Sequence, residues 1–428
     1  MLEEEIIVAG AGASGMMAAV TAAQNGGKVL LLEKMKKPGK KLLATGNGRC
    51  NFTNRRQERD CYRGSDTDFI WESLDKFSQE DTLRVFHEMG ILPTERDGYY
   101  YPASGQASSV VDAFVRRMGQ GLQESQNQSG LRSVRLHVDE PVKSIRPFGN
   151  QGAGFLVKTA RETYHASKVI LSMGGSAAPI HGTTGDGYDI VQKMGLDIAE
   201  PLPALTSCAL KGNFMKEWAG VRISGCVSLF SKSGEYLAED TGELQMVSYG
   251  ISGIPVFQIS RYAACALAAG DKPYLMADIM PSYTQEELER ELTRRRKSFP
   301  KWTALDVLDG MMHRKLAGVL LKSLGIDAGI CASQWGSREI VRIAERMKGW
   351  KLGIAEVGDF EKAQVTCGGV LTGQINPDTM EVKSQPGLYI TGELLDVDGI
   401  CGGYNLQWAW TSGYLAGKSA AEQERVGL

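Results

Sequence analysis

Three glycines near the start of the chain have the spacing of a dinucleotide-binding motif. Gly10, Gly12 and Gly15 form Gly-x-Gly-x-x-Gly between a short apolar strand and an Ala-rich segment of helical character. In such a motif the first glycine permits a tight turn, the second lets the backbone approach a pyrophosphate, and the third lets helix and strand pack closely. The unpaired N–H groups at the start of the helix would then point at the pyrophosphate.

Glu33 supplies the acidic part of the same signal. It ends the apolar strand over residues 28–33. A carboxylate there can accept hydrogen bonds from both ribose hydroxyls and would repel a 2′-phosphate. A glycine motif alone could be an ordinary tight turn, but here strand, glycines, helix, strand and acid follow in order. This order predicts a βαβ unit, and its position at the N-terminus favours FAD over NAD.

The C-terminal part of the chain carries an independent signal for FAD. Residues 386–393 read as a strand that ends in Gly392-Glu393, and Gly402-Gly403-Tyr404-Asn405 leads into a helix with many small residues. The N-terminus of that helix would direct its dipole at the N1–C2=O edge of a flavin. This placement would stabilise the anionic reduced flavin.

The composition excludes several other classes of protein. The 428 residues suffice for two or three domains. A content of 23% charged residues is typical of a folded protein. The net charge of −2 argues against a general nucleic-acid-binding protein, because there is no excess of basic residues to neutralise phosphates. No apolar run is long enough for a membrane span, and the acidic N-terminus does not resemble a signal peptide. Eight scattered cysteines favour reduced thiols and a cytoplasmic location, and the five histidines predict no metal site.

The pattern of apolar and charged residues divides the chain into segments. Residues 131–171 alternate like a β-meander, 205–280 are mostly strand-like, 284–348 are charged with a helical period, and 414–425 read as a terminal helix. We therefore expect an FAD-binding domain in two segments, 1–200 and 363–428. Between them we expect a β-rich substrate domain over 201–283 with a return at 349–362, and a helical subdomain over 284–348.

Three long motifs resemble those of one family of bacterial flavoproteins. Thr45 to Asn51 (TGNGRCN), Ala363 to Val370 (AQVTCGGV) and Gly392 to Gly417 look like the BaiN-type, HI0933-like family, and the similarity extends over the whole chain. The resemblance implies an α/β fold, in which a discontinuous Rossmann-like FAD-binding domain carries an inserted β-barrel-like domain and a helical subdomain. It also implies an FAD-dependent oxidoreductase with NADH or NADPH as the electron donor.

The resemblance further implies which residues contact FAD. Val142 would touch the adenine, and residues from Gly392 onward would line the ribityl chain and the isoalloxazine ring. The implied contact residues are Gly10, Gly12, Ala13, Ser14, Gly15, Glu33, Lys34, Lys41, Gly46, Gly48, Arg49, Val142, Gly174, Gly175, Gly392, Glu393, Asp398, Gly403, Asn405 and Leu406.

Three side chains are candidates for the proton donor that completes a reduction. Tyr249 and Tyr404 lie in loops that the family pattern directs at the flavin, and His181 lies in a Gly-rich loop near the predicted cleft. The alternative is that His181 has only a structural role, in a glycine loop whose Asp186 is the N-cap of the following helix. The chain departs from the family at Ser248, where a histidine is usual, so no role of that histidine transfers.

Other groups have simpler interpretations. The tyrosines over 99–101 could stack on a ring-shaped substrate or form an aromatic edge strand. The arginines and lysine over 290–297 are typical of a solvated helix face, with an acidic partner as the alternative. Cys50, Cys367 and Cys401 are interpreted as buried inert thiols.

Three functions are open at this point. The favoured one is an NAD(P)H-driven reductase of an activated C=C bond in a bulky apolar small molecule, such as a 3-dehydro-Δ4,6-bile-acid-like enone. Because the chain has one Gly-x-Gly-x-x-Gly motif, the nicotinamide would share the flavin cleft, which predicts ping-pong kinetics. The alternatives are an aminoacetone-type amine oxidase that makes peroxide and a non-catalytic regulatory flavoprotein. No nucleic-acid or membrane partner is expected, and the oligomeric state is left open.

Overall fold

The chain forms two compact units, one of which is discontinuous in sequence. A computed structural model describes residues 2–119, 134–149 and 154–422. The first unit comprises Met1–Leu202 and Val365–Leu428, and the second comprises Pro203–Gln364. The predicted fold class is confirmed, because the chain combines a Rossmann-like parallel sheet, a closed barrel and a group of helices.

The chain up to the first unit boundary alternates between strands and helices. Its strands are β1 (Leu2–Ala9), β2 (Val29–Leu32), β3 (Thr53–Asn54), β4 (Tyr62–Arg63), β5 (Pro93–Arg96), β6 (Tyr99–Pro102), β7 (Arg135–His137), β8 (Val142–Pro147), β9 (Phe155–Thr159), β10 (Thr163–Leu171) and β11 (Ile198–Ala204). Its helices are α1 (Ala13–Gln24), α2 (Lys40–Ala44), α3 (Thr67–Leu74), α4 (Gln79–Glu88), α5 (Ala107–Arg117) and α6 (Asp186–Lys193).

The second unit contains a barrel and the larger group of helices. Its strands are β12 (Cys208–Leu210), β13 (Arg222–Phe230), β14 (Tyr236–Val247), β15 (Gly250–Ser252), β16 (Tyr274–Asp278) and β17 (Trp350–Val357). Its helices are α7 (Met215–Trp218), α8 (Ile254–Ala268), α9 (Gln285–Ser298), α10 (Ala304–Leu308), α11 (Arg314–Leu324) and α12 (Ser337–Lys348). The chain then returns to the first unit with β18 (Val365–Val370), β19 (Leu388–Ile390), β20 (Asp398–Gly399) and α13 (Tyr404–Ala421).

The main sheet of the first unit has the order β7-β2-β1-β10-β9-β8, with β19 paired to β10. Strands β7, β2, β1, β10 and β19 run parallel, whereas β8, β9 and β10 form an antiparallel meander. All four side chains of β2 are buried, as expected for a parallel strand covered on both faces. The predicted meander is confirmed for β8, β9 and β10. The expectation that residues 134–138 belong to it is wrong, because β7 pairs in parallel with β2 at the opposite edge of the sheet. Residues 131–133 and 150–153 lie outside the described part.

Two helices from opposite ends of the chain pack together because glycines remove side chains at their contact. A Cβ added to Gly413 of α13 would lie 2.4 Å from the Ser14 carbonyl oxygen, and one on Gly417 would lie 2.3 Å from that of Ala18. Backbone atoms of α1 therefore touch α13 directly. The helix expected after Gly402-Gly403 and the terminal helix expected over 414–425 are one helix, α13, which starts at Tyr404. The predicted end at residues 423–425 falls outside the described residues.

The aromatic strand over Tyr99–Pro102 is central rather than peripheral. Strand β6 pairs with β3 on one side and with β5 on the other, so the expectation of an edge strand is wrong. The sequence could not show this, because β3 is only two residues long and lies more than forty residues away.

The barrel closes in the order β12-β15-β14-β13-β16-β17 around an apolar core that includes Val227, Leu244 and Leu275. The expectation of a mostly stranded segment over 205–280 missed α8, which starts with proline in its first turn and is rich in alanine. The helices expected over 284–348 are α9 to α12. No helix in the described residues is long and apolar enough to cross a membrane.

Candidate cofactor site

The glycine loop between β1 and α1 contains two glycines that are packed against neighbouring backbone and one that faces open space. Gly10 has a φ of +101°, and a Cβ there would lie 2.4 Å from the Ser172 carbonyl oxygen. A Cβ on Gly15 would lie 1.9 Å from the Gly10 carbonyl oxygen, whereas one on Gly12 would meet nothing within 4 Å. Gly10 and Gly15 are therefore required for packing. Gly12 leaves the free approach to backbone that a pyrophosphate needs.

Glu33 lies directly beside this loop. Its Oε2 accepts a hydrogen bond from the Ala11 N–H at 2.8 Å, and its Oε1 accepts one from the Met35 N–H at 2.7 Å. Burial raises the pKa of this carboxyl above its ordinary value, although the two N–H donors oppose the shift. The carboxylate is thus fixed in orientation at the carboxyl end of β2, where a parallel sheet of this kind binds its ligand.

The second chain segment meets the glycine loop at Gly392. A Cβ on Gly392 would lie 2.7 Å from Ser14 Oγ, and the Gly392 N–H donates to Ser412 Oγ at 2.9 Å. The indole N–H of Trp408 donates to the Gly392 carbonyl oxygen at 3.2 Å. Two predicted contact residues from the two ends of the chain, Ser14 and Gly392, are therefore neighbours.

An ion pair also joins the two chain segments. Lys41 Nζ lies 2.7 Å from Glu393 Oε2, while Glu393 Oε1 accepts from the Thr366 N–H at 2.8 Å. Thr366 Oγ1 in turn accepts from the Ser176 N–H at 2.8 Å. A Cβ on Gly175 would lie 2.4 Å from Thr366 Oγ1. Sequence reasoning missed Thr366 as a member of this group, although it lies within the quoted motif Ala363 to Val370.

Lys34 holds the Gly-rich loop that precedes α6. Its Nζ donates to Thr184 Oγ1 at 2.5 Å and to Asp186 Oδ2 at 2.6 Å. Asp186 was expected to cap the helix, but it is the first residue of α6, and the cap position is Gly185 with a φ of +78°. The acid serves the ion pair with Lys34 instead. A Cβ on Gly174 would lie 2.8 Å from Thr183 Cγ2, so this loop packs closely on the strand end.

Asn405 orders the turn that leads into α13. Its Oδ1 accepts from the Gly399 N–H and its Nδ2 donates to the Gly399 carbonyl oxygen, both at 2.9 Å. Gly403 has a φ of +96°, and a Cβ there would lie 2.8 Å from the Thr53 carbonyl oxygen. The turn is therefore rigid and held against β3. Asp398 is buried in it, and Leu406 packs against the core.

The remaining predicted contact residues lie in three places. Gly46 and Gly48 have positive φ angles of +57° and +82° in the tight turn before Arg49, which is exposed. Val142 begins β8 and is 8% exposed. Ala13 is the first residue of α1.

The three candidate proton donors differ in access. Tyr404 is 2% exposed, its hydroxyl contacts the Cys61 thiol, and burial raises its pKa strongly. His181 has a lowered pKa because of burial and the nearby charges of Lys40 and Lys41, so its imidazole is neutral near pH 7. Tyr249 is 41% exposed. His181 and Tyr404 belong to the first unit and Tyr249 to the second.

Of the three cysteines expected to be buried, Cys50 and Cys367 are buried, whereas Cys401 is partly exposed. Burial raises the pKa of the Cys50 thiol to about 12, which leaves it unreactive at neutral pH. On α9, Arg294 and Arg295 pair with Glu291, each at 2.7 Å, and Arg296 donates to the Trp335 carbonyl oxygen at 2.6 Å. These arginines are engaged within the protein. The described residues contain no group of His, Cys, Asp and Glu that could hold a metal ion.

The residues at the glycine loop fit a dinucleotide, because an open backbone approach at Gly12 adjoins the oriented carboxylate of Glu33. Fold and site together define a Rossmann-like oxidoreductase of the FAD-dependent class. The chain belongs to the HI0933-like family, since the family model described as the HI0933-like protein Rossmann domain matches residues 4–419.

Relatives of known name align over nearly the full length. The chain is 38% identical to the 3-dehydro-bile acid delta(4,6)-reductase of Clostridium scindens, over 97% of this chain and 98% of that protein. It is 29% identical to the ribosomal RNA dihydrouridine synthase of Escherichia coli K12, over 96% of each chain. The structure of a 3-ketosteroid delta1-dehydrogenase from Sterolibacterium denitrificans aligns with a TM-score of 0.49 at 14% identity, over 98% of this chain and 100% of that one.

Proposed function

We propose that this protein is an FAD-dependent reductase that adds a hydride and a proton across a C=C bond conjugated with a carbonyl group. The observation that carries the cofactor assignment is the contrast between the open Gly12 and the close-packed Gly10 and Gly15. The reaction class is supported by the full-length relative of Clostridium scindens, whose name describes a reductase.

In this proposal each part of FAD has its own protein partners. The pyrophosphate would lie on the backbone at Gly12 and the N-terminus of α1, and the ribose hydroxyls would donate to Glu33. Val142 would contact the adenine, and the ordered turn before α13 would hold the isoalloxazine ring through Asn405 and Leu406. Bound FAD, once reduced by a nicotinamide, would supply the hydride.

The names of the two relatives describe one kind of bond chemistry. A 3-dehydro-Δ4,6 compound has C=C bonds conjugated with a carbonyl at C3. Dihydrouridine is uridine with hydrogen added across the C=C bond that is conjugated with its C4 carbonyl. Both names therefore denote saturation of a conjugated C=C bond. We propose a bulky apolar enone as the substrate, because the bile-acid reductase is the more similar relative.

A uridine in RNA is the second candidate substrate, on the strength of the dihydrouridine synthase relatives. Two observations weigh against it. The net charge is −2, and the arginines of α9 pair with the protein's own carboxylates and carbonyl groups. A surface that binds RNA phosphates needs cations that are free to release counterions.

We propose Tyr249 as the proton donor, because its hydroxyl belongs to a partly exposed side chain. The hydroxyl of Tyr404 is covered, and its raised pKa makes it a poor acid. His181 has a lowered pKa and would be protonated in a small fraction of molecules at neutral pH. Replacing Tyr249 with Phe should lower kcat by about 100-fold, the scale of one general acid.

An anaerobic titration tests the proposal. The FAD-loaded protein is titrated with NADH and, separately, with NADPH while flavin absorbance is followed, and a 3-oxo-4,6-diene steroid acid or a uridine-containing RNA is then added. We expect one nicotinamide to bleach the flavin and the steroid to restore its colour. Bleaching by aminoacetone with release of peroxide would contradict the reductase. A protein that cannot be loaded with FAD would contradict the cofactor as well.

A further inference from the structure

The barrel unit places two hydroxyls and a lysine around one short strand. Tyr249 precedes β15, and its carbonyl oxygen accepts from the Leu210 N–H at the far end of β12. Its side chain extends along β12 to the near end, where its Oη lies 3.2 Å from Ser207 Oγ. The amino group of Lys362 lies 5.1 Å from the centre of the Tyr249 ring. These three side chains come from three segments that are far apart in sequence.

The lysine in this group is not neutralised by the protein. Lys362 is exposed, and within the described residues it makes no ion pair. Other exposed cations of this unit, Lys351 among them, also make no ion pair in the described residues, so Lys362 is distinguished by its place beside Ser207 and Tyr249 and not by its lack of a carboxylate partner. Ser207, Tyr249 and Lys362 together offer hydroxyl and ammonium donors, while the carboxylate of Asp359 accepts a hydrogen bond from the Lys362 N–H at 3.2 Å. Such a set binds an acceptor that carries negative charge.

Gly358 shows that Thr206, Ser207 and Lys362 lie around one point. A Cβ added there would lie 2.3 Å from Thr206 Oγ1, 3.4 Å from Ser207 Oγ and 3.4 Å from Lys362 Cβ. Thr206 Oγ1 is buried and has no hydrogen-bond partner in the described part of the chain. Leu205, immediately before it, has a φ of +52°, a left-handed conformation that is unfavourable for leucine. The segment thus keeps a strained backbone and an unused hydroxyl, which is typical of a functional site.

We infer that Ser207, Tyr249 and Lys362 form a binding site for an anionic oxygen group of the substrate. The Ser207 hydroxyl would donate a hydrogen bond to the oxygen, and the ammonium group would balance its charge. The Tyr249 hydroxyl would donate a hydrogen bond to a carboxylate oxygen, whereas beside an enolate its proton would be directed at the α-carbon. The inference deepens the proposed function. The anionic oxygen has two candidate sources, and the first of them rests on the proposed reduction. These sources are an enolate formed during reduction and a carboxylate that the substrate carries permanently.

The enolate source follows from the electron balance of the reaction. When a hydride adds to the β-carbon of a conjugated C=C–C=O group, the C=C electron pair moves toward the carbonyl and leaves the charge on its oxygen. The proton of Tyr249 would then go to the α-carbon to give the saturated ketone, and solvent would reprotonate the phenolate. Lys362 would stabilise both the enolate and the phenolate.

The same unit offers a matched control pair. Lys351 Nζ lies 3.7 Å from the centre of the Tyr274 ring, so it is also a lysine placed over a tyrosine. Tyr274 is stacked on Phe230 with ring centres 5.6 Å apart, and its position in β16 is regular strand. Replacing Lys351 with Gln removes the same charge from the same unit without touching the proposed site.

The test measures equilibrium binding to the FAD-loaded protein. The probes are 4-nitrophenolate, as a mimic of an enolate oxygen, and cholate with its methyl ester as a permanent carboxylate and its neutral counterpart. We expect Lys362→Gln and Ser207→Ala each to weaken binding of the same probe, either 4-nitrophenolate or cholate, about tenfold, a change of about 1.4 kcal/mol. We expect Lys351→Gln to change it less than twofold, and the methyl ester to bind all variants alike.

The outcome also identifies the source of the oxygen. Loss of 4-nitrophenolate binding, with a fall in kcat for acid and ester substrates alike, indicates the enolate. Loss of cholate binding, with a rise in KM for the acid alone, indicates the carboxylate. If the Lys362→Gln variant bound 4-nitrophenolate and cholate as tightly as the Lys351→Gln variant does, the inference would be overturned. Because binding needs no turnover, this failure is distinct from a failure of the proposed reductase activity.

Discussion

The two units build their candidate sites from different materials. The first unit uses backbone, with glycines that let one chain segment touch another, as at Gly10, Gly15 and Gly392. The second unit uses side chains, with Ser207, Tyr249 and Lys362 placed on β-barrel segments. A site made of backbone suits a cofactor that every turnover reuses. In a site made of side chains, substitutions can alter which substrate binds while the fold is kept, because loops and strand ends tolerate changes of sequence.

The largest expected effect separates two glycines of one motif. Gly15→Ala would place a Cβ 1.9 Å from the Gly10 carbonyl oxygen, so we expect a loss of at least about 3 kcal/mol in the free energy of unfolding. Gly12→Ala would meet nothing within 4 Å. It should leave the stability of the FAD-free protein unchanged and raise the Kd for FAD about 100-fold, or about 2.7 kcal/mol.

Urea unfolding of the FAD-free protein and fluorescence titration with FAD measure these two effects separately. If Gly12→Ala bound FAD as tightly as the unchanged protein, the pyrophosphate would not lie at Gly12. If Gly15→Ala unfolded at the same urea concentration as the unchanged protein, the close contact between loop and helix would not be a packing requirement.

The ion pair between the two chain segments should have a smaller effect. Glu393→Gln keeps the shape of the side chain but loses the charge that meets Lys41 at 2.7 Å. Both side chains are about one-fifth exposed, so we expect a loss of about 1–2 kcal/mol in unfolding free energy and weaker FAD binding. In a double-mutant cycle, Lys41→Met should add little to Glu393→Gln. Fully additive losses would show that the two residues act independently.

The dependence of FAD binding on pH tests Glu33. Burial raises the pKa of this carboxyl, and the ribose hydroxyls would bind its ionised form. FAD affinity should therefore fall as pH decreases through this raised pKa. The free energy of unfolding of the FAD-free protein should depend on pH in the opposite direction. A raised carboxyl pKa stabilises the folded state at low pH, and this stabilisation is lost as pH rises through the folded-state pKa. Glu33→Gln should remove both dependences, and an unchanged pH profile of FAD binding in that variant would exclude Glu33 as the ribose ligand.

The smallest effect should come from a glycine that serves no site. Gly318 lies within α11, and a Cβ there would meet nothing within 4 Å. Gly318→Ala should stabilise the protein by about 0.5–1 kcal/mol, since alanine is the better helix former. FAD binding and turnover should not change. A destabilised variant would mean that the glycine contrast seen in the first unit does not extend to the second.

Much of the first unit could be predicted because its signals are local in sequence. Gly10, Gly12 and Gly15 lie within six residues, Glu33 follows Gly15 by 18 residues at the end of the next strand, and Gly392-Glu393 is a signal within a single strand end. Their meaning comes from backbone geometry that short motifs encode well. The contact between Ser14 and Gly392 then follows from the topology of the parallel sheet.

The features that sequence missed depend on distant partners. Helix α8 lies in a segment of strand-like composition, and β6 is central only because of a two-residue strand far away. The group of Ser207, Tyr249 and Lys362 has no motif, since its members lie on three separate segments. Long-range pairing of this kind leaves no periodic trace in the sequence.

A single-turnover reaction tests whether the reduced flavin of this protein saturates the C=C bond of an enone. The FAD-loaded protein is reduced anaerobically, freed of excess reductant and mixed with a 3-oxo-4,6-diene steroid acid, while flavin absorbance and product are followed together. We expect the flavin to be reoxidised without oxygen and one C=C bond to be saturated for each flavin. A flavin that stays reduced with both this steroid and a uridine-containing RNA, and is reoxidised by oxygen alone, would contradict this expectation.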